Sequence, residues 1–345
     1  MPEITRRGLF KAGIGTAAGV AALSLGAQLR AVASTTPSNK VIRSGTELLL
    51  NGKSHRMVGF DLWPAAINSG WNRPPNFEYA LNYGHRLERW LRQIHATAPD
   101  LNTVRVWLFQ QFASKDRARD WSAIEKVLRV CNSEGFKVIA TLEDGWGYEG
   151  TGSKDAAWFR SGYKSAVLSP YETVPYREWV RQIVTEYAGD PRIAVWELVN
   201  ELDLLVSASD LTGFISDVSG LIKGIDSHTP VGTGEAGTLT STQYKIATLD
   251  LASYHYYSKY GATNFQGTAS LARAAGLPTY IGEMGIPASV GLSARADTVS
   301  KLLPTVFDTK GMAGFVMWQY AESGGDEFNV AAGDPVLPVL NKYVR

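Results

Sequence analysis

The stretch Ile193-Ala-Val-Trp-Glu-Leu-Val-Asn-Glu201 predicts the fold of this chain. Apolar residues lead into Glu197, and two more precede the polar pair Asn200-Glu201. A nearly continuous apolar run is typical of a parallel strand that is buried on both faces. Barrel enzymes place their catalytic groups just past the C-terminal ends of such strands. The stretch therefore predicts a barrel strand that ends at a functional site.

A second stretch, Pro278-Thr-Tyr-Ile-Gly-Glu283-Met-Gly, also reads as a strand that ends on a glutamate. Three βα units separate Glu201 from Glu283, so they would follow the fourth and seventh strands of a ring and face each other across its mouth. Two such glutamates suggest a proton donor and a nucleophile. Carboxyl groups about 5 Å apart suit double displacement with retention, whereas roughly 6.5–9.5 Å leaves room for an attacking water.

Apolar strands alternate with amphipathic helices from Met57 onward, which is the pattern of a parallel sheet with crossover helices. The predicted strands cover residues 57–60, 103–108, 137–142, 196–201, 230–233, 249–254, 278–283 and 314–318. The predicted helices cover residues 86–98, 121–134, 176–187, 209–225, 269–275, 294–307 and 337–344. No glycine-rich phosphate loop follows the first strand, so an α/β (β/α)8 TIM barrel is favoured over an open doubly wound sheet.

Two features precede the barrel. Asn51-Gly52 supplies the positive φ angles of a tight turn and predicts a β-hairpin that caps the bottom of the barrel. Residues 1–33 combine Arg6-Arg7, a mildly apolar region and a small-residue cleavage site at Ala33, which predicts a twin-arginine-type signal peptide. We expect residues 34–345 to form one catalytic domain that is secreted or lies in the cell envelope, without a stable membrane anchor.

The composition narrows the choice of partners. A formal net charge of +1 gives no reason to expect nucleic acid. The single cysteine, Cys131, excludes an intrachain disulfide and a cysteine metal cluster, and the five histidines show no metal-ligand spacing. We therefore expect no metal or other cofactor, and a monomer. The acidic pair Asp326-Glu327 beside Glu322 is interpreted as a solvated loop.

Two motifs carry a family resemblance. Trp196-Glu-Leu-Val-Asn200-Glu201 and Ile281-Gly-Glu283 resemble the strand-four and strand-seven motifs of glycoside hydrolase family 5, in the clan of retaining barrel glycosidases. The resemblance spans roughly residues 48–321 and implies roles for both glutamates. Glu201 would be the general acid/base, which requires a raised pKa, and Glu283 would be the ionised nucleophile.

The resemblance also implies supporting residues. Arg105 matches the family's strand-two arginine and would hold the charge of Glu283, although a structural ion pair inside the barrel fits the same placement. Asn200 would donate to the sugar 2-hydroxyl. His255 and Tyr257 match the His-x-Tyr motif after strand six, with Tyr257 bonded to the nucleophile. Trp318 resembles the floor of the cleaved subsite.

The substrate is suggested by the loop after the third strand. Many cellulase-like members carry a histidine there, whereas Glu143-Asp144-Gly145-Trp146 is more similar to the β-mannanase branch. Flat aromatic rings stack on the apolar faces of sugars. Candidate sugar platforms are Trp63, Trp71, Trp107 and Trp146.

The sequence thus predicts a retaining β-glycosidase that acts on a polysaccharide or oligosaccharide, first a β-1,4-mannan and as the alternative a β-1,4-glucan. A secreted carbohydrate-binding protein without turnover is a rival from another class. An α/β esterase is disfavoured because the chain has no Gly-x-Ser-x-Gly motif.

Overall fold

Eight parallel strands surrounded by helices form the main body of the protein in a computed structural model. The structure describes residues 38–63, 77–147, 153–168, 172–258, 265–322 and 326–344. These belong to a compact unit of residues 36–345. The predicted signal peptide and Trp71 lie outside the described residues.

A three-stranded antiparallel sheet precedes the barrel. Its strands are β1 (Val41–Ser44), β2 (Glu47–Leu50) and β3 (Lys53–Ser54). Asn51 and Gly52 form the predicted two-residue turn, with φ angles of 53° and 75°. Val41 and Leu48 pack with Met57, at the start of the first barrel strand. The hairpin therefore covers the N-terminal end of the barrel, as predicted.

The barrel strands follow in the predicted number and order. They are β4 (Met57–Asp61), β5 (Thr103–Trp107), β8 (Lys137–Thr141), β9 (Ile193–Glu197), β10 (Val231–Gly232), β11 (Ala252–Tyr257), β12 (Thr279–Gly285) and β13 (Gly314–Met317). Two short strands, β6 (Ser114–Lys115) and β7 (Ala118–Arg119), occur between β5 and β8 in the chain and pair with each other in a separate sheet. The spatial order is β10-β9-β8-β5-β4-β13-β12-β11. A parallel bridge between Gly232 and Leu251 joins the two ends of this sheet. The predicted (β/α)8 barrel is confirmed.

Helices cover the outside of the barrel and extend its C-terminal loops. They are α1 (Phe77–Thr97), α2 (Ser122–Ser133), α3 (Ala156–Arg160), α4 (Tyr176–Glu186), α5 (Leu202–Leu205), α6 (Ala208–Ile225), α7 (Ser241–Tyr244), α8 (Phe265–Ala274), α9 (Leu292–Pro304) and α10 (Val336–Asn341). Across the described ranges, no helix has the length and apolar character that crossing a bilayer requires.

Three boundaries differ from the predictions in ways that affect the site. Helix α1 begins at Phe77 rather than at residue 86, because Phe77, Ala80, Tyr83 and Leu87 share one buried face. Strand β9 ends at Glu197, so Glu201 lies beyond it rather than in it. Strand β11 continues to Tyr257, so it contains the His-x-Tyr pair that was expected to follow it.

Candidate active site

Glu201 lies at the C-terminal end of the barrel on a segment that is held from both sides. The Asn200 N–H donates to the Glu143 carbonyl (2.9 Å), and the Glu201 N–H donates to the Gly234 carbonyl (2.8 Å). Glu201 adopts a left-handed conformation, with φ 53° and ψ 33°, immediately before α5. A non-glycine residue in this region carries backbone strain, which is frequent at functional sites. Gly234 permits the approach, because a Cβ there would lie 2.5 Å from the Val199 carbonyl oxygen.

A β-bulge within β12 sets the direction of the Glu283 side chain. Tyr254 pairs with Ile281, but the next residue, His255, pairs with Glu283, so Gly282 is an extra residue on its strand. Such a bulge changes the direction in which the following side chain points. It places Glu283 beside His255, with only 3% of Glu283 exposed.

The two glutamates meet across the mouth of the barrel. A carboxylate oxygen of Glu201, a carboxylate oxygen of Glu283 and a ring nitrogen of His255 all lie within 4.8 Å of one another. Such a close approach of two carboxylate oxygens is compatible with double displacement, for which the carboxyl groups lie roughly 5–5.5 Å apart.

Arg105 organises the buried side of the site. Its Nη1 donates to Glu283 Oε1 (2.7 Å) and its Nη2 to Asn200 Oδ1 (2.8 Å). The guanidinium also lies over the Trp107 ring, 4.4 Å from the ring centroid. A planar group with five donors can bind several acceptors at once, which a lysine cannot do. Both sequence-based interpretations of Arg105 therefore fit its contacts, since it bonds Glu283 and also forms structural ion pairs.

Those ion pairs involve residues that the sequence analysis missed. Arg105 Nε donates to Glu197 Oε2 (2.6 Å), and Nη1 donates to Asp61 Oδ1 (3.0 Å). The hydroxyls of Thr141 and Tyr280 also donate to Glu197. Glu197 and Asp61 are fully buried. A carboxylate inside an apolar strand pattern, as at Glu197, is the sequence signal that could have identified this network, because a buried charge needs a partner.

Asn200 has a fixed orientation between two charged groups. Its Oδ1 accepts from Arg105, and its Nδ2 donates to Asp144 Oδ1 (3.1 Å). The amide carries two N–H bonds. The predicted contact with a sugar 2-hydroxyl requires the second of them and stays a prediction.

Each oxygen of Glu201 accepts one hydrogen bond. His255 Nδ1 lies 2.9 Å from Oε1, and Trp146 Nε1 donates to Oε2 at 2.7 Å. On the other carboxylate, the Tyr257 hydroxyl donates to Glu283 Oε2 at 2.5 Å, as predicted for this tyrosine. The structure therefore brings together Glu201, Glu283, Arg105, Asn200, His255, Tyr257 and Trp146.

The electrostatics of this substrate-free site differ from the sequence-based expectation for Glu201. Burial acts to raise the pKa of Glu201, but the hydrogen bond and charge of His255 and the bond from Trp146 lower it below its ordinary value. Burial also lowers the pKa of His255, yet Glu283 and Glu201 raise it above its ordinary value overall. Burial and the charge of Glu201 raise the pKa of Glu283, against His255 and Arg105. The expectation of a raised pKa at Glu201 was thus wrong for this state, because an apolar pocket was assumed where two donors are present.

Three tryptophans, Trp63, Trp107 and Trp318, pack on one another, and Trp107 also contacts Arg105. Trp318 follows β13, and its ring centroid lies 5.9 Å from that of Trp107 and 6.4 Å from that of Trp63. Trp318 is 8% exposed, whereas Trp63 is 3% and Trp107 0% exposed. The predicted platform role of Trp107 was wrong for this state, because its ring is fully buried. The role of Trp63 as a sugar platform and that of Trp318 as the floor of the cleaved subsite stay predictions. Asp326 is not merely a solvated acid, since its Oδ2 accepts from Trp318 Nε1 (2.9 Å) and so orients that ring.

A second buried acidic group supports the loop that carries Glu201. Asp203 accepts the backbone N–H groups of Ala236, Gly237 and Thr238, at 2.7–3.0 Å. Next to that loop, Glu235 is fully buried and accepts hydrogen bonds from Thr233 and from the Ser253 N–H.

Glu235 leads to a prediction about stability and pH. Burial raises its pKa from 4.5 to about 7. The folded protein therefore keeps this proton where the unfolded chain has lost it, and the free energy of unfolding falls as pH rises from about 4.5 to about 7. The loss from this one group is about 3 kcal/mol. The Glu235→Gln variant has no titrating group at this position. We therefore expect its free energy of unfolding in urea, minus that of the wild type, to rise by about 3 kcal/mol between about pH 4.5 and about pH 7.

The control for this measurement is Glu186→Gln, which changes an exposed glutamate of α4. A stability difference between Glu235→Gln and wild type that stays constant with pH contradicts the prediction.

Sequence and structure comparisons relate this chain to known proteins. No family model matches the chain. A probable mannan endo-1,4-beta-mannosidase A-2 from Aspergillus terreus is 26% identical over 64% of this chain and 66% of its own length. This chain thus spans about two thirds of that relative.

Solved structures show the same fold. An endo-1,4-beta-mannanase from Rhizomucor miehei matches 87% of this chain and 97% of its own length, with a TM-score of 0.62 and 18% identity. A glycoside hydrolase family 5 mannosidase from the same organism matches 89% of this chain and 97% of its own, with a TM-score of 0.64 and 13% identity. These likenesses show that the chain shares the barrel fold of those proteins.

Proposed function

We propose that this chain is a retaining endo-β-1,4-mannanase that works by double displacement. The observation that carries the proposal is the pair Glu201 and Glu283, whose carboxylate oxygens lie within 4.8 Å at the C-terminal end of the barrel. The mannanase relatives support the substrate class, as does the Asp144-Gly145-Trp146 sequence in the third loop. The groups that react with the substrate in this mechanism are the two glutamates and a water molecule.

In the first step Glu283 attacks the anomeric carbon and forms a glycosyl ester. Glu201 gives its proton to the glycosidic oxygen as the bond between that oxygen and the anomeric carbon breaks. Arg105 and Tyr257 each bond one oxygen of Glu283, so they fix the direction of attack. They also stabilise the negative charge that returns to this carboxylate when the ester is later cleaved.

In the second step Glu201 is ionised and accepts a proton from water. The water oxygen attacks the anomeric carbon from the face that the leaving group vacated, and the bond to Glu283 breaks. Two inversions give net retention. The left-handed backbone at Glu201 and the bulge at Gly282 bring both carboxylates close enough for these roles.

The test is a digestion of β-1,4-mannan, β-1,4-glucan and xylan by the purified protein. We expect reducing ends and short oligosaccharides from mannan, with the β-anomer formed first in proton NMR spectra. Preferential release from glucan would assign the alternative substrate, and first formation of the α-anomer would contradict double displacement. Sugar binding without any release of reducing ends would indicate a carbohydrate-binding protein.

We propose further that the protein is exported by way of residues 1–33 and acts as a monomer outside the cytoplasm. The paired Arg6-Arg7 supports the twin-arginine route. Arg6→Lys with Arg7→Lys is expected to retain the protein in the cell, and size-exclusion chromatography with light scattering measures the oligomeric state.

A further inference from the structure

In the substrate-free site, a hydrogen-bond donor lies at each carboxylate oxygen of Glu201, the proposed acid/base. His255 Nδ1 lies 2.9 Å from Glu201 Oε1, and the Trp146 indole N–H donates to Oε2 at 2.7 Å. Donors that bond a carboxylate stabilise its ionised form. In the proposed reaction, however, Glu201 must carry a proton and present it to the glycosidic oxygen. Loss of one of the two donors when substrate binds would therefore favour the protonated form.

The two donors differ in how firmly they are held. His255 belongs to β11, is 5% exposed, and packs so closely on β12 that a Cβ at Gly282 would lie 3.1 Å from its Nε2. Trp146 lies on the loop after β8, between Gly145 and Gly147, and is 36% exposed. Its N–H points to Glu201, while part of its ring faces solvent. Trp146 is the donor that substrate can displace.

We propose that Trp146 is a positioning residue that controls the protonation of Glu201. Its N–H holds the carboxylate in place before substrate binds, and the glycosidic oxygen of the substrate takes its position at Oε2. Glu201 then binds a proton from solvent at Oε2, which is the proton it transfers to the leaving oxygen. This inference rests on the proposed hydrolytic function, since it concerns the same glutamate.

Other charged and titratable groups face Glu201 from three further strands, and a Trp146 variant leaves them unchanged. They are Arg105 from β5, His255 and Tyr257 from β11, and Glu283 from β12. A change in the titration of Glu201 on replacing Trp146 is therefore attributable to the indole.

The kinetic test compares Trp146→Phe, which keeps an aromatic ring without the N–H, with Trp146→Ala, which removes both. Loss of a donor to the ionised form raises the pKa of Glu201, so Trp146→Phe stays active to higher pH. We expect the alkaline limb of its kcat/KM profile on mannan to move up by about one pH unit, the size of a lost charge-assisted hydrogen bond. KM changes little in Trp146→Phe and rises in Trp146→Ala.

The second test needs no substrate. Carbon-13 NMR of protein labelled at the glutamate side-chain carboxyl carbon follows Glu201 directly, and Glu201→Gln identifies its signal. We expect the midpoint to rise by about one pH unit in Trp146→Phe. It should not move in Trp121→Phe, a matched control in which the lost indole packs on Trp179.

An unchanged Glu201 midpoint in Trp146→Phe overturns the inference, even if the protein cleaves mannan. A shifted midpoint in a protein that cleaves no polysaccharide supports the control of Glu201 and counts against the proposed function instead. The two proposals therefore fail separately.

Discussion

Glu283→Gln is expected to abolish polysaccharide hydrolysis, because an amide cannot form the glycosyl ester of the first step. Glu201→Gln should lower kcat/KM on mannan by about 10²–10⁴-fold, the contribution of general acid–base catalysis. The two variants separate on an aryl mannoside such as the 2,4-dinitrophenyl compound, whose leaving group departs without a proton. Glu201→Gln should form the glycosyl-enzyme from it and release a burst of dinitrophenol, while Glu283→Gln should release none. Stopped-flow absorbance measures the burst.

Glu186→Gln serves as the matched control, since it makes the same chemical change on the outer helix α4. Circular dichroism should show that all three proteins are folded, because glutamine has nearly the shape of glutamate. A dinitrophenol burst from Glu283→Gln, or full mannan hydrolysis by it, would falsify the assignment of the nucleophile.

The barrel and the two glutamates could be predicted from the sequence because both depend on local patterns. Apolar runs such as Ile193–Trp196 identify strands, and strand ends identify the functional edge of a barrel. The distance between the two carboxylates could not be predicted, since it depends on the extra residue at Gly282 and the left-handed backbone at Glu201. Both are departures from regular geometry that a strand pattern does not encode.

The partners of Arg105 show a second limit of sequence reading. Glu197 and Asp61 each belong to barrel strands. Their side chains reach Arg105 only because the closed ring of strands points all three side chains inward at the same level. Asp61 is 44 positions and Glu197 is 92 positions from Arg105 along the chain. No local sequence pattern indicates that residues so far apart will bind each other. The pKa of Glu201 was mispredicted for the same reason, because the donors that lower it, His255 and Trp146, come from other parts of the chain.

Arg105→Met is expected to lower the free energy of unfolding by about 3–5 kcal/mol at pH 7, because it leaves buried carboxylates without their counter-charge. Arg105 forms ion pairs with Asp61, Glu197 and Glu283, and its side chain is fully buried. Hydrolysis should be lost as well, since Glu283 loses one of its two donors. Arg105→Lys should recover only part of either property, because an ammonium group cannot reproduce the planar set of contacts. Urea unfolding and mannan hydrolysis measure the two effects.

The dependence of this loss on pH distinguishes an unpaired charge from a simple packing defect. Burial raises the pKa of Asp61 and Glu283, and Arg105 opposes this rise, so without Arg105 the folded variant retains protons that its unfolded chain releases. Its stability should therefore fall more steeply than that of the wild type between pH 5 and pH 7, and its deficit should be smaller at pH 5. Arg160→Met is the matched control, since that side chain is 66% exposed and its ion pair with Asp210 is worth at most about 1 kcal/mol. An Arg105→Met deficit of the same size at both pH values would show that lost packing, rather than lost charge, explains its instability.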